Sequence, residues 1–223
     1  SIVLPIDSEH NAIFQLLEKN KRKNISSITL TASGGPFLND DIETFTNKKP
    51  IDALKNPNWE MGDKISIDSA TMMNKGLEVI EASVLFSINH KKINVLVHPQ
   101  SIVHGMINLV DGSIISYISE PDMRVPIFNV LTWPETLKSF KNIPRITSLN
   151  FMRVNNKKFP SINICLQKAY FLFCFILEKF HLPKHKCKVN PAFEYNINIA
   201  SRNNEKLFCM FKTTTFFALK CAA

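Results

Sequence analysis

Apolar residues recur along the first 150 positions of the chain at the periods of short strands and amphipathic helices. The apolar residues 4–6 predict the end of a buried strand, and Asp7 or Ser8 can cap the helix that follows. One face of that helix is apolar and is formed by Ile13, Phe14, Leu16 and Leu17. A β-branched run at 25–31 predicts a second strand, which leads into the Ala-Ser-Gly-Gly-Pro loop at 32–36.

The next segment predicts a short strand and then a long helix. Residues 65–67 have the composition of a strand, and Asp68 and Ser69 are placed to cap a helix that continues to about Phe86. The buried side of this helix is predicted to consist of Met72, Met73, Leu77, Ile80, Val84 and Leu85.

The remaining pattern predicts a strand at 93–98, a hairpin formed by 102–110 and 113–119, and a helix near 126–133. The dipeptide Asp111-Gly112 between the two hairpin strands is a signal for a type I′ turn. Alternating strands and helices followed by a hairpin predict an α/β fold, built as an α+β domain with a mixed sheet.

The basic character of the chain is confined to its last third. The formal net charge is +8, but residues 1–150 hold 15 Lys and Arg against 16 Asp and Glu, net −1, whereas residues 151–223 hold 12 against 3, net +9. All five cysteines also lie after residue 150, and because their number is odd and no Cys-x-x-Cys occurs, neither a disulfide framework nor a zinc site is indicated. The composition therefore predicts one domain over residues 1–150 and a separate region over residues 151–223.

The longest strongly apolar run, residues 170–177, is far shorter than the roughly 20 residues that span a bilayer. Asp7 and Glu9 stand where a signal peptide would be basic and then apolar. We therefore expect a soluble protein without a targeting segment. Because Ser1 opens the chain inside an apolar stretch, the sequence is interpreted as a fragment.

Asp7, Glu9 and Glu78 are candidate ligands for a divalent cation, because a hard cation needs several carboxylate oxygens held by rigid elements. Asp7 and Glu9 lie at a strand-to-helix corner, and Glu78 shares a helix face with Asn74 and Lys75. Spacing alone favours helix-start acids and a solvated helix face over a metal site, without excluding the latter. At this point both interpretations stay open.

Two segments are candidates for a phosphate site. Ser33-Gly34-Gly35 follows a strand, and Ser69 is expected to open a helix; backbone N–H groups and hydroxyls hold phosphates at such places. Lys75 would add a positive charge. Each feature alone is also typical of an ordinary turn or helix cap.

Trp59 and Met61 precede Gly62 in a polar loop, where they could form a lid over a ligand or anchor the loop on the core. His10 and His98 are interpreted as structural, since no Ser-His-Asp or Cys-His pattern accompanies them.

Six blocks of the sequence, in order and spacing, resemble the 1-deoxy-D-xylulose 5-phosphate reductoisomerase family. They are LPIDSEHN at 4–11, SGGPF at 33–37, PNWEMG at 57–62, DSATMMNKGLE at 68–78, HPQS at 98–101 and EPDMR at 120–124. The resemblance extends from residue 2 to about 150, and the ordered set of six makes coincidence a poor explanation.

The resemblance implies a role for each candidate residue. Asp7, Glu9 and Glu78 would be the catalytic residues and would bind Mg²⁺ or Mn²⁺. The substrate and its phosphate would contact Ser8, Glu9, Ser33, Asn56, Ser69, Asn74, Lys75 and Glu78. Gly62 would contact NADPH, and Trp59 with Met61 would form the lid. These implications favour the metal site over helix-start acids.

The resemblance implies an enzyme that rearranges 1-deoxy-D-xylulose 5-phosphate and reduces the product with NADPH to 2-C-methyl-D-erythritol 4-phosphate, in non-mevalonate isoprenoid biosynthesis. It further implies a small-molecule sugar phosphate as partner, a homodimer, and a cytoplasmic location, or a plastid in a eukaryote, with no nucleic-acid or membrane partner. One alternative is a non-catalytic remnant of that enzyme. A nucleic-acid-binding tail is disfavoured, because Phe171, Phe173 and Phe175 lie in an apolar run typical of a core.

Three departures from the family pattern limit what carries over. Asn56 stands where the family has a His that contacts the substrate. The family's N-terminal dinucleotide-binding domain, with its glycine-rich turn, has no counterpart in the sequence, so the main NADPH-binding domain is expected to be absent. After residue 150 only 159–169 and 189–194 echo the family's C-terminal helical domain, and its Asn-Glu pair reads Phe193-Glu194, so the tail is expected to be degenerate.

Overall fold

The computed structural model describes residues 2–55, 62–138, 144–166 and 219–221. In chain order, its helices and strands are β1 (Ile2–Leu4), α1 (Ser8–Glu18), β2 (Ile25–Ala32), α2 (Pro50–Ala53), α3 (Asp63–Ala70), α4 (Met73–Leu85), β3 (Ile93–Val97), β4 (Val103–Leu109), β5 (Ile114–Ile118), α5 (Arg124–Thr132), β6 (Met152–Arg153) and β7 (Leu219–Cys221). Single 3₁₀ turns lie at Arg22–Asn24, Ile42–Asn47 and His90–Lys92, and residues 160–166 are helical.

Five of these strands form one mixed sheet in the order β5-β4-β2-β3-β6. β2 and β3 run parallel, with Ile28 opposite Ile93, and the other neighbouring pairs are antiparallel. A parallel pair needs a crossover connection, which here is the long segment containing α2, α3 and α4. The prediction of an α/β fold with a mixed sheet is confirmed. β1 pairs separately with β7.

The main core lies between the sheet and two helices, α1 and α4, which both pack on one of its faces. It is formed by Ile13, Leu16, Leu17, Ile28, Leu30, Val79, Ala82, Phe86, Ile93 and Ile107. Full burial of a Val, Leu or Ile side chain stabilises the fold by about 1.5–3 kcal/mol relative to leaving it exposed. The apolar face predicted for α1 is therefore the face that attaches this helix to the sheet.

The prediction of a strand at residues 65–67 is wrong, because these residues lie inside α3. Ile65 and Ile67 are 39% and 38% exposed, and the buried positions of this helix are Ser66 and Ala70, four residues apart as on a helix face. The segment from Ser69 to Phe86, predicted as one long helix, is divided between α3 and α4. Met72 interrupts it with a left-handed backbone (φ 58°), and α4 begins at Met73.

The hairpin is confirmed, but its turn is not of type I′. The amide of Gly112 donates to the carbonyl of Leu109 at 3.2 Å, which makes Val110 and Asp111 the central residues. Both central residues of a type I′ turn need a positive φ, and here only Gly112 has one (87°). A β-branched Val resists positive φ, so the chain forms a longer loop with the left-handed residue at Gly112.

Residues beyond 150 continue onto the same sheet. β6 pairs with β3 at its edge, and Phe159 and Ile162 are buried in a second cluster with Ala32, Met72 and Val97. The division of the chain at residue 150 stays a prediction. Among the residues described, no helix is long and apolar enough to cross a membrane.

Candidate active site

A cavity of about 370 Å³ lies where β2 and β3 end, beside the first turns of α1 and α4. Ligands of open α/β sheets bind outside the carboxyl ends of the parallel strands, so this is the expected place for a site. Its lining includes most of the residues singled out from sequence: Asp7, Ser8, Glu9, Ser33, Ser69, Asn74, Lys75 and Glu78.

The corner between β1 and α1 carries the first two candidate ligands. Asp7 is the N-cap of α1, and its Oδ1 accepts hydrogen bonds from the amides of Glu9 at 3.1 Å and His10 at 3.2 Å. The hydroxyl of Ser8 donates to the carboxylate of Glu9. The predicted capping role of Asp7 is confirmed, and it fixes both carboxylates on the same first turn.

The first turns of α4 carry the third candidate ligand together with an amide and an ammonium group. Asn74 Nδ2 donates to Glu78 Oε1 at 2.6 Å, and Lys75 Nζ donates to Glu78 and also to Glu9 on α1. His10 Nε2 lies 2.9 Å from the backbone oxygen of Glu78. Since a carbonyl only accepts, this nitrogen carries the proton, and the contact joins the two helices at the site.

One oxygen from each of Asp7, Glu9 and Glu78 can be chosen so that all three lie within 4.8 Å of one another. Glu78 follows Asp7 by 71 positions in the chain, so the fold rather than local sequence brings them together. The predicted clustering of these three carboxylates is confirmed. Their role as metal ligands stays a prediction.

The charges of the cluster are strongly interdependent. Burial on its own raises the pKa of Glu9, but the ammonium group of Lys75, the imidazole of His104 and hydrogen bonds from Lys75 and Ser8 outweigh it and lower that pKa to about 2. Burial and the neighbouring charge of Glu9 raise the pKa of Glu78 well above its usual value, although Lys75 opposes this. Burial lowers the pKa of Lys75, but the charges of Glu78 and Glu9 raise it to a greater extent. The cluster therefore stabilises positive charge placed among its carboxylates, whether a bound proton or a cation.

The predicted phosphate side of the cavity is formed by Ser33 and Ser69. A Cβ atom on Gly35 would lie 2.7 Å from the backbone oxygen of Ser69, and Gly35 has a φ of 66°, so only glycine lets this loop approach α3 so closely. Ser69 does not open a helix as predicted; it is the second-last residue of α3. Its place in the cavity depends on the close approach at Gly35.

Lys75 was predicted to contact phosphate, and in this structure its ammonium group is directed at Glu9 and Glu78 instead. Gly62 is the N-cap of α3 and is exposed, and among the described residues nothing lies within 4 Å of where a Cβ atom on it would be. Asn56, Trp59 and Met61 lie outside the described residues, so their roles stay predictions.

The cavity lining also includes residues to which the sequence assigned no role, among them Glu81, His104 and Met123. Glu81 lies one turn beyond Glu78 on α4, and that spacing is a detectable signal. Met123 belongs to the EPDMR block, which carried the resemblance without an assigned role. His104 lies on β4, and its approach to the cavity depends on strand pairing that the sequence does not specify.

Two family models match the chain. The model described as the 1-deoxy-D-xylulose 5-phosphate reductoisomerase C-terminal domain matches residues 3–86, and the one described as the DXP reductoisomerase C-terminal domain matches residues 118–170. Curated relatives named 1-deoxy-D-xylulose 5-phosphate reductoisomerase include proteins of Sulfurihydrogenibium sp. (strain YO3AOP1), 51% identical over 168 residues, and Persephonella marina, 48% identical over 167 residues. Each alignment covers 74% of this chain and 45% of the relative, so the chain spans about half the length of these relatives.

Solved structures give the same result. A crystal structure of DOX-P reductoisomerase in complex with NADPH, fosmidomycin and magnesium is 42% identical with a TM-score of 0.69, over 75% of this chain and 44% of that chain. The enzyme from Zymomonas mobilis in complex with NADPH has the same identity, coverage and TM-score. The similarity therefore includes the fold as well as the sequence.

Proposed function

The chain belongs to the 1-deoxy-D-xylulose 5-phosphate reductoisomerase family, and we propose that it supplies the metal- and substrate-binding part of such an enzyme. The reaction would be the rearrangement of 1-deoxy-D-xylulose 5-phosphate and its reduction by NADPH. The single observation that carries the proposal is the convergence of Asp7, Glu9 and Glu78 at one end of the cavity.

The donor set fits a hard divalent cation. Three carboxylates provide oxygen ligands of the kind that Mg²⁺ and Mn²⁺ prefer. Counted in their charged forms, the three carboxylates and the ammonium group of Lys75 sum to a formal charge of −2, which a divalent cation would balance. A bound cation would polarise the carbonyl and the adjacent hydroxyl of the substrate, which favours the developing negative charge of the rearrangement.

The residues around the carboxylates have separate tasks in this proposal. Asn74 fixes one oxygen of Glu78, and Ser8 does the same for Glu9, so both carboxylates are held in one orientation. Ser33 and Ser69 offer hydroxyls on the side of the cavity where the Gly35 loop meets α3, which suits the phosphate end of the substrate. Holding the phosphate there orients the reacting carbons toward the carboxylates.

The fit to NADPH is limited to one residue. Gly62 is the exposed N-cap residue of α3, and no described residue blocks the approach of a ligand to the position of its Cβ. The sequence contains no Gly-x-Gly-x-x-Gly turn to hold a pyrophosphate. We therefore assign no part of the hydride transfer to the described residues.

The metal site is tested by titrating the 223-residue chain with Mn²⁺ and comparing it with Glu78→Gln. The substitution removes one anionic ligand, and we expect it to weaken binding by more than the roughly 10- to 100-fold that is typical of residues which only support a ligand. Glu18→Gln is the matched control, because Glu18 ends α1 outside the cavity and contacts Trp133. Equal Mn²⁺ affinity for wild type and Glu78→Gln would overturn the proposal.

Asn56 provides a test of the phosphate end. Asn56→His restores the residue of the family pattern. Because a hydrogen bond to a charged group contributes about 1.5–3 kcal/mol, we expect this variant to bind a phosphate-bearing inhibitor roughly tenfold more tightly than wild type, or more, in the presence of Mn²⁺. Asn94→His, at an exposed position of β3, should leave the affinity unchanged. Identical affinities for wild type and Asn56→His would show that the asparagine already makes the contact.

A homodimer is also proposed from the family, and sedimentation equilibrium of the chain tests it.

The alternative function, a non-catalytic remnant of the enzyme, is favoured by one observation: after residue 150 the composition turns to Phe, Lys and Cys, and the family's Asn-Glu pair reads Phe193-Glu194. If the wild-type chain does not bind Mn²⁺, that result favours the interpretation as a remnant.

A further inference from the structure

We propose that Asn11 is a positioning residue that holds the corner carrying Asp7 and Glu9 in register with Glu78. The inference rests on the proposed metal-binding function of those three carboxylates. Asn11 does not line the cavity, and it acts through the backbone of the corner rather than by touching a ligand.

Asn11 is 1% exposed and uses its side-chain amide in three hydrogen bonds. Its Nδ2 donates to the backbone oxygen of Pro5 and to Oδ1 of Asn129, each at 3.0 Å. Its Oδ1 accepts from Gln15 Nε2 at 2.8 Å. Both N–H groups and one acceptor site are thus occupied, and an asparagine is the side chain that offers this set at this length.

Two hydrogen bonds of Asn11 connect it to residues at the start of the corner. The backbone amide of Asn11 donates to the oxygen of Asp7 at 2.8 Å, while its side chain reaches past Asp7 to Pro5. Residues 5–11 therefore form a short loop tied across its base. Asp7, Ser8 and Glu9 lie inside that loop, so its shape decides where their side chains point.

The bond to Asn129 ties the same corner to α5. That helix begins at Arg124, directly after Met123, which lines the cavity. Asn11 therefore links two walls of the cavity, one with the carboxylates and one with Met123. The third carboxylate arrives independently on α4, whose contact with the corner goes through His10 and Lys75.

Removal of the Asn11 amide would leave the buried Pro5 oxygen and the half-buried Asn129 side chain without this partner. The corner can relieve this by shifting or rotating. A cation site holds its ligands to within about 0.5 Å, so a small shift of Asp7 and Glu9 relative to Glu78 lowers affinity without unfolding the chain.

The experiment uses Mn²⁺ alone as probe with the full 223-residue chain, below the unfolding temperature of every variant. The dissociation constant is measured by calorimetry, and the Mn²⁺ electron paramagnetic resonance spectrum reports the symmetry of the ligands. Asn11→Leu removes the amide at similar volume, and Asn129→Ala removes only the α5 partner. Asn108→Leu is the matched control, because Asn108 donates to Ser27 at 2.7 Å on the sheet and does not line the cavity.

We expect Asn11→Leu to weaken Mn²⁺ binding by about 10- to 100-fold and to change the spectrum. Asn129→Ala should act in the same direction with a smaller effect, and Asn108→Leu should bind as wild type even if it unfolds more easily. Wild-type affinity and spectrum in a folded Asn11→Leu would overturn the inference; if that variant does not fold, Asn129→Ala decides by the same criterion. If wild type binds no Mn²⁺ and Glu78→Gln is indistinguishable from it, the proposed metal site itself is wrong.

Discussion

Lys75 is a buried cation whose two partners are both carboxylates of the candidate metal site. It is 4% exposed, and its ammonium group donates to Glu9 on α1 and to Glu78 on its own helix. Without this charge, Glu9 and Glu78 would face each other as buried acids. Lys75 therefore lowers the electrostatic cost of bringing these two acids together where α1 and α4 meet.

We predict that Lys75→Met lowers the free energy of unfolding by about 3–5 kcal/mol, since it leaves buried charges uncompensated. Saturating Mn²⁺ should then stabilise this variant more than wild type, because the cation replaces part of the lost positive charge. The measurement is urea unfolding with and without Mn²⁺.

The control for this prediction is Lys55→Met. Lys55 is exposed, does not line the cavity and pairs with Asp52, three positions earlier, at 3.3 Å; such a surface pair contributes less than about 1 kcal/mol. A Lys75→Met variant no less stable than Lys55→Met would contradict the importance given to the buried ammonium group.

Helical spacing was sufficient to place Asn74, Lys75 and Glu78 on one face of one helix, as the structure has them. The partner of Lys75 on α1 was not predictable from spacing, because Glu9 lies 66 positions away and the contact exists only once both helices pack on the sheet. Family resemblance, rather than periodicity, identified the three acids as a set.

At the scale of elements, the junction between α3 and α4 depends on residues after 150. Met72 has a left-handed backbone and a buried side chain that packs with Phe159 and Ile162. The hydroxyl of Ser161 donates to the oxygen of Thr71 at 2.8 Å. A positive φ is unfavourable for Met, so these contacts offset the strain and hold α4 at the angle that points Glu78 into the cavity.

Gly76→Ala tests this packing. A Cβ atom on Gly76 would lie 2.7 Å from Sγ and 3.0 Å from Cβ of Cys165, in the helical segment 160–166. An unobstructed Gly→Ala in a helix stabilises by about 1 kcal/mol, whereas this overpacked one should destabilise by about 1–3 kcal/mol in chemical unfolding.

The double variant Gly76→Ala with Cys165→Ala should recover part of that loss, because it removes the closer of the two contacts. Stabilisation by Gly76→Ala alone would show that segment 160–166 does not pack on α4 in solution.

The helix α1 was predicted correctly because its buried face matches the helical period, and the β4–β5 hairpin because two strand-like runs flank Asp111-Gly112. The α3 segment was mispredicted because its two isoleucines are exposed and its buried residues are Ser66 and Ala70, so apolarity and burial disagree. The position of Ser69 and the left-handed Met72 follow from packing against the Gly35 loop and against residues 159–162, contacts that local sequence does not encode.

At the scale of the molecule, the proposed metal and substrate site is separate from the proposed contact with NADPH. The three carboxylates and the hydroxyls proposed to face the phosphate all lie between Asp7 and Glu78, on one sheet and the helices packed against it. The cofactor contact carried over from the family is Gly62 alone. The related crystal structures with NADPH are of chains of which this one covers 44%.

We predict that the 223-residue chain binds Mn²⁺ but does not oxidise NADPH in the presence of 1-deoxy-D-xylulose 5-phosphate. Hydride transfer requires the nicotinamide to be held at near-attack distance from the carbonyl, and such positioning accounts for about 7–11 kcal/mol of a barrier. A single backbone contact at Gly62 fixes one point of a dinucleotide and leaves its rotation free. The rate is followed as the loss of NADPH absorbance with purified chain, substrate and Mn²⁺, against Glu78→Gln as a control for contaminating enzyme. Turnover by wild type above that control would show that the chain orients NADPH by itself. Metal-dependent inhibitor binding without turnover is the expected result, because the residues proposed to bind metal and phosphate lie together in one cavity, whereas Gly62 is the one residue proposed to contact NADPH.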